Sequence, residues 1–198
     1  NYALTIKNLN SGNEVSSTTE IISNFSFSTP IPSSFKLGFY NPSLPDSSKF
    51  RSKTIEWNKT ENGEIYQLDV VFNFSENGIS RSLLWSQSLE VFVGGSMQSK
   101  IEGAKFFNFL SQNLLIDNTI TRSFESIDLV MTVGTEELNT YIKVNEPLTG
   151  IAQQRPQFTN INNGIGIFSS RYTYTVSNIG LTQDTKSYLT DELDRNFE

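Results

Sequence analysis

Between Glu64 and Glu76 the chain reads EIYQLDVVFNFSE, and no other feature limits the fold as tightly. Tyr66, Leu68, Val70, Phe72 and Phe74 occupy even positions, with Gln67, Asp69, Asn73 and Ser75 between them; Ile65 and Val71 alone break the pattern. Successive side chains of a strand point to opposite faces, so this alternation predicts a strand with one buried face. Such a strand requires neighbours in a sheet and an apolar layer against it. A chain of 198 residues supplies both, since a domain of this size buries roughly 70% of the surface its unfolded form exposes. It needs no metal or disulfide to fold.

The same reading extends in both directions. SKTIEWNKTENGE places Ile55 and Trp57 before Asn62-Gly63, a pair that tolerates the positive φ of tight turns, so residues 53–75 read as a β-hairpin. A second pair, Asn77-Gly78, turns the chain into SRSLLWSQSLEVFV, where Leu83, Trp85, Leu89, Val91 and Val93 share a parity. Three such strands in sequence predict an antiparallel meander. Upstream, YALTIKN, EIISNFSFS and SFKLGFYN are further strand candidates. The prolines between Ser28 and Ser34 cannot donate to a central ladder and mark a joint between subdomains. NPSLPDSS, from Asn41 to Ser48, reads as a polar loop.

After Gly94-Gly95 the period changes. Ile101, Phe106, Phe109, Leu110 and Leu114 recur at helical spacing, and Ser99 stands where a hydroxyl could cap the first turn. Burial of those side chains, at about 1.5 to 3 kcal/mol each, outweighs the ~1 kcal/mol helix cost of Gly103. A helix is therefore expected over 99–115, covering an end or edge of the sheet. SIDLVMTVG returns to strand alternation through Ile127, Leu129, Met131 and Val133. TEELNTYIKVNEP predicts a short helix over 135–144, with Thr135 as N-cap, Glu136 and Glu137 at the positive end of the dipole and Pro147 as the stop. IGIFSSRYTYTV supplies a last strand, with Phe168, Ser170, Tyr172, Tyr174 and Val176 on one parity, and the tail from Gly180 is charged and weakly patterned. The expected fold is mainly β: an antiparallel β-sandwich of the fibronectin or immunoglobulin kind with one covering α-helix and one short helix. It reads as a single domain over 1–198, within which 1–29 form a semi-independent strand pair and 30–198 the main sandwich.

Composition removes many functions. There is no cysteine and no histidine, which eliminates thiolate zinc sites, Ser-His-Asp and Cys-His nucleophile systems and HExxH metal sites. No cofactor or metal is expected. With 21 acidic and 15 basic residues the net charge is −6, and no Lys or Arg cluster could neutralise a run of phosphates, so neither nucleic acid nor an anionic membrane surface is an expected partner. No apolar run approaches the ~18 residues that span a bilayer. Charged residues are 18% of the chain, below the usual quarter, and Ser, Asn and Thr fill the deficit, a common profile in secreted strand-rich proteins. The chain opens at Asn1 inside a strand, which reads as a trimmed N-terminus once preceded by a leader and a lipid-bearing Cys.

Four sets of residues are candidates for function. Asn162 and Asn163, ahead of Gly164 and Gly166, could present amide groups to a cation or an anion; Thr159 to Arg171 contains no carboxylate, and a tight turn feeding the sheet is the plainer reading. Carboxylate pairs are the catalytic device left to a chain without His or Cys. Glu56, Asp69, Glu76, Glu90 and Asp128 lie on or beside expected strands, with Asp69 and Asp128 at the outward parity, where a charge is usually just solvated. Trp57, Trp85 and the Tyr172/Tyr174 pair could form a platform for sugar rings, although both tryptophans fall on inward parity and so read as core. Asn24, Asn58 and Asn73 open Asn-x-Ser/Thr triplets, acceptors only in a eukaryotic secretory pathway.

The stretches IDLVMTVGTEELNTYIKVNEP and PQFTNINNGIGIFSSR, residues 127–145 and 158–171 in particular, resemble the C-terminal part of uncharacterised secreted lipoproteins of Bacteroidetes-type bacteria, a family of unknown function. IEW and NGEIYQLDVVFNF resemble its central hairpin, extending the likeness from about Ser34 to Val176. The resemblance implies a chain tethered by an N-terminal lipid in the periplasm or at the cell surface, a sandwich-rich fold, and association with outer-membrane uptake or surface-assembly proteins. It carries no catalytic residue. The functional expectation is a monomeric, non-enzymatic envelope module for binding or assembly, the alternatives being a carbohydrate-binding module or a carboxylate-based glycan hydrolase.

Overall fold

The computed structural model describes residues 1–29, 35–87, 96–145 and 157–198. Along them run β1 (Tyr2–Lys7), β2 (Glu14–Thr19), β3 (Phe27–Thr29), β4 (Lys36–Leu37), β5 (Ser52–Asn58), β6 (Ile65–Glu76), β7 (Ile79–Gln87), β8 (Ser96–Glu102), helix α1 (Gly103–Asn113), β9 (Arg122–Gly134), helix α2 (Glu136–Asn145), β10 (Arg171–Leu181) and helix α3 (Gln183–Asp191). The protein is mainly β, with a two-stranded sheet (β1-β2), a three-stranded sheet (β3-β5-β8) and a five-stranded sheet ordered β4-β10-β9-β6-β7. The five-stranded sheet is mixed, because β10 pairs with β4 in parallel and β6 with β7 antiparallel. Two compact units result, one made of Asn1–Phe25, Lys59–Tyr66 and Thr132–Thr173, the other of Ser26–Asn58, Gln67–Met131 and Tyr174–Glu198.

In the larger unit the alternation of β6 does what its sequence dictates. Leu68, Val70, Phe72 and Phe74 are buried, and on β9 Ile127, Leu129 and Met131 join them. Helix α1 covers this face through Phe106, Phe107 and Leu110, with the Phe106 ring 5.9 Å from Phe72 and 4.6 Å from Phe39. Helix α3 follows through Tyr188, whose ring lies 4.2 Å from Phe107. Thr185, buried beside it, accepts the backbone N–H of Phe39 at 2.9 Å. Along β10 the inward parity changes: Val176 is buried, Ser177 and Asn178 are exposed, and Ile179 and Leu181 are buried. Asn178 makes this shift with a φ of 62°, and its N–H is held by the Asp128 carboxylate at 2.8 Å. The smaller unit contains the β1-β2 sheet, helix α2, and Phe25 standing edge-on to Tyr66 and Tyr172.

Several expectations change. The 53–75 hairpin and the three-strand meander do not form. Asn62-Gly63 is a turn, with Asn62 at φ 62°, but β5 pairs with β3 and β8 while β6 lies between β9 and β7. A hairpin does form between β6 and β7, closed by Asn77 and Gly78 at φ 49° and 79°. Ser99 caps no helix; it sits on β8, where Met97, Ser99 and Ile101 alternate inward. The residue at the N-cap of α1 is Glu102. Gly103 opens that helix because a Cβ there would stand 2.4 Å from the Phe39 carbonyl oxygen and 2.5 Å from that of Arg51. Strand β2, of sequence EVSSTT, and helix α3 were not expected at all, so the α-helices number three among the described residues where two were foreseen. The Pro-Ser joint over 30–34, the strand residues Leu89, Val91 and Val93, the Gly94-Gly95 pair and Pro147 lie outside the described residues.

One charged side chain among the described residues of the larger unit is as buried as the core. Arg122, 1% exposed, donates from Nε to Glu76 at 2.9 Å and from Nη1 to the carbonyls of Leu115 and Arg195 at 3.2 and 2.7 Å. Its own backbone bonds Asn196 and Glu198, so one residue joins β6, the segment after α1 and the C-terminus. Truncation would strand Glu76 and two carbonyls: Arg122→Ala is expected to cost about 3 kcal/mol, read as a lowered urea midpoint. Ser99 gives the opposite test. Its Oγ is buried with no hydrogen-bond partner among the described residues, opposite Ile55, so Ser99→Ala should raise stability by about 1 kcal/mol in the same measurement.

Candidate functional site

A broad concavity belongs to the smaller unit. It is an open cleft of about 820 Å³ whose walls are the end of β2 at Thr18 to Glu20, the turn from Lys59 to Asn62 with Glu64, and the entry to α2 at Thr135 to Glu137. The turn is built from its own polar groups. Thr60 is buried; its N–H donates to the Tyr66 hydroxyl at 3.0 Å and its Oγ1 to the Ser23 carbonyl at 2.7 Å. Asn62 takes the left-handed conformation that turns allow it, and its side chain donates to the Ile21 carbonyl at 3.0 Å. Gly63 is required here, because a Cβ would stand 2.5 Å from Thr60 Cγ2 and 2.7 Å from the Tyr66 hydroxyl.

The lining is acidic: Glu20, Glu61, Glu64, Glu136 and Glu137 against the single lysine Lys59. Glu61 accepts from the Ser23 hydroxyl at 3.2 Å, and Glu64 pairs with Lys59 at 2.6 Å, an exposed contact that holds the ammonium above its ordinary pKa. Glu136 and Glu137 stand in the first turn of α2, where the helix dipole favours negative charge. Glu137 also accepts from the hydroxyl of Thr135. Among the described residues no three carboxylates converge as a metal site. The glutamates stand in water, an arrangement suited to hydroxyl and ammonium groups.

The residues singled out from the sequence lie elsewhere. Trp57 is fully buried, opposite Phe27 and Met97. Trp85 is half-buried, stacked on Phe109 of α1 at 5.5 Å and 14°. Tyr172 and Tyr174 stand edge-on to Phe25 and Phe27. These rings pack against neighbours in pairs and do not form a row open to a sugar. Each described candidate acid has a partner of its own. Glu56 accepts from Thr29 at 3.1 Å, Asp69 from Ser86 at 2.6 Å and Gln67 at 3.0 Å, and Glu76 pairs with Arg122. Asp128 accepts from Asn73 at 3.1 Å as well as from the Asn178 amide. Glu90 lies outside the described residues.

Asn162 and Asn163 belong to a loop that closes on itself and docks on β2. Asn160 grips Phe168 twice, donating to its carbonyl at 2.7 Å and accepting its N–H at 2.8 Å. Asn162 forms an antiparallel bridge with Ser16; its side chain reaches the Ser16 hydroxyl and that of Asn163 the Glu14 carbonyl, each at 3.4 Å. Neither residue lines the cleft. The cleft glutamates escaped notice because none stands in a motif; the signal was the charge flanking Asn62-Gly63 and heading α2. No protein-family model, curated protein or solved structure matches this chain.

The cleft should loosen at alkaline pH. Burial raises the pKa of the Tyr66 hydroxyl above its ordinary 10.0. A folded-state pKa raised above the unfolded one stabilises fully below pH 10.0, and that stability is lost as pH rises through the folded value. Urea midpoints followed into that range should fall for the native chain, and Tyr66→Phe should remove the part of the fall that belongs to this hydroxyl while lowering stability at neutral pH.

Proposed function

We propose that this chain is a non-enzymatic binding module of a bacterial cell envelope, layered as a β-sandwich, that holds an amine-bearing, hydroxyl-rich glycan in its acidic cleft. The observation that carries the reading is the cleft: five glutamates and one lysine around about 820 Å³, a volume within the roughly 300–1,000 Å³ of ordinary ligand sites. Exposed carboxylates offer acceptors to sugar hydroxyls and charge to an ammonium group. The engagement of Glu56, Asp69, Glu76 and Asp128 with structural partners favours binding over hydrolysis. A sandwich layering draws support from Phe27 of the three-stranded sheet meeting Tyr174 of the five-stranded sheet at 5.4 Å. Placement in the envelope, with a lipid tether and outer-membrane uptake or surface-assembly proteins as partners, rests on the resemblance of residues 127–145 and 158–171 to secreted lipoproteins.

A glycan array probed with the monomeric chain tests the reading. Amino sugars should be retained over their N-acetylated counterparts and recovered uncleaved, more weakly at high salt because exposed charges are screened. The Glu20→Gln/Glu61→Gln double variant should bind about tenfold more weakly, ~1.4 kcal/mol. Retention of no glycan, indifference to the two substitutions, or cleavage of the ligand would sink it.

A further inference from the structure

Three Asn-Gly pairs punctuate this chain, and they are not equally restrained. In Asn62-Gly63 the asparagine side chain donates to Ile21 at 3.0 Å, the glycine N–H donates to Thr60 at 3.1 Å, and the glycine is walled in by Thr60, Tyr66 and Val133. In Asn77-Gly78 the turn closes a hairpin paired from Leu68↔Gln87 to Glu76↔Ile79. There Asn77 accepts from the Thr121 N–H through Oδ1 at 2.9 Å and donates its own N–H to the Thr121 carbonyl at 2.8 Å. In Asn163-Gly164 the hydrogen bonds are the longest of the three: the side-chain amide reaches Glu14, the glycine N–H reaches Ile161 and the Thr159 hydroxyl reaches the glycine carbonyl, each at 3.4 Å, beside an isolated bridge at Asn162, with Ile161 and Val15 against the glycine. Asn163 is also exposed.

From this contrast we propose that Asn163 is a site of spontaneous modification, converting to aspartate and isoaspartate in the folded protein ahead of Asn62 and Asn77. The backbone nitrogen of Gly164 attacks Cγ of Asn163, forming an N–Cγ bond; the side-chain nitrogen leaves as ammonia, carrying the proton lost by the glycine nitrogen. The succinimide so formed is opened by water at one of its two carbonyls. Opening at the side-chain carbonyl leaves an ordinary aspartate at this position, and opening at the main-chain carbonyl gives an isoaspartyl linkage that carries the chain through Cγ. No oxidant or cofactor enters. Ring closure requires rotation about ψ and χ1 of Asn163 to bring the Gly164 nitrogen onto Cγ, and a turn held by long hydrogen bonds allows that rotation most readily. The nitrogen lost is the one that donates to Glu14, so modification also removes one of the ties of the loop to β2 and adds a negative charge.

The folded chain, held for several weeks in mildly alkaline buffer at physiological temperature in isotopically heavy water, gives the test by peptide mapping. Heavy oxygen and the amide-to-acid mass change should accumulate at Asn163 several-fold faster than at Asn62 or Asn77, and the backbone N–H of Asn162 should exchange faster in aged protein than in fresh. Denatured chain should show the three sites converging, because the local sequence Asn-Gly is common to all of them. In Asn163→Gln the fast component should vanish with the other two sites unchanged. Asn62 or Asn77 leading, the same ranking in folded and denatured chain, or no conversion at any of the three would overturn the proposal.

Discussion

The larger unit depends on the burial of one face of β6 and one face of β9. Leu68, Val70, Phe72 and Phe74 on the first, and Ile127, Leu129 and Met131 on the second, are among the least exposed side chains of the protein. At roughly 1.5 to 3 kcal/mol for each large apolar side chain removed from water, this pair of faces supplies a large stabilising contribution. Other elements of that unit take positions that complete the burial. Phe106 of α1 comes down on Phe72, and Phe197 reaches Phe72 and Phe74 at 6.0 and 6.2 Å. Trp85 is drawn onto Phe109 by the same requirement.

Polar residues close what the apolar faces leave open. Arg122 satisfies Glu76 and two carbonyls in a place water does not reach, which its fully buried guanidinium requires. Asp128 holds the amide of Asn178 where β10 shifts its parity, and Asn160 clips the loop that docks on β2. Acids and amides that might have served a ligand are thereby engaged in holding backbone together. The glutamates around the Lys59 to Asn62 turn differ, since they face an open concavity, and this difference in surroundings is the physical basis for placing ligand recognition there.

Much of the secondary structure was legible because its cause is local. The 2.0 period along β6 and β9, the turns at Asn62 and Asn77, and the helix beginning with TEEL each follow from neighbours in sequence. Strand β2 was not legible because EVSSTT carries little apolar signal; its Ser17 and Thr19 are buried nonetheless, with Ser17 donating to the carbonyl of Asn160, far along the chain. Ser99 illustrates a conflict of periods: Ile101 fits both the helical spacing read from its downstream neighbours and the alternation with Met97 that β8 adopts. In the tail, Leu189, Leu193 and Phe197 recur every four residues and are all buried, yet α3 ends at Asp191, and Asp194 and Asn196 carry the rest through left-handed turns.

By itself the sequence determined that β6 and β9 are strands with one buried face, that the chain turns sharply at Asn62 and Asn77, and that chemistry built on histidine or cysteine is absent from these residues. Those properties depend on side-chain type and spacing over a few residues. Tertiary structure alone decided that β5 joins β3 and β8 and leaves β6 to pair with β9 and β7. It alone also turned Asp128 and Glu76 into structural clamps and gathered Glu20, Glu61 and Glu136 around one cleft. Strand partners and acid neighbourhoods are set by contacts between residues distant in the chain, and a period of two along a strand states which face is buried without saying what buries it.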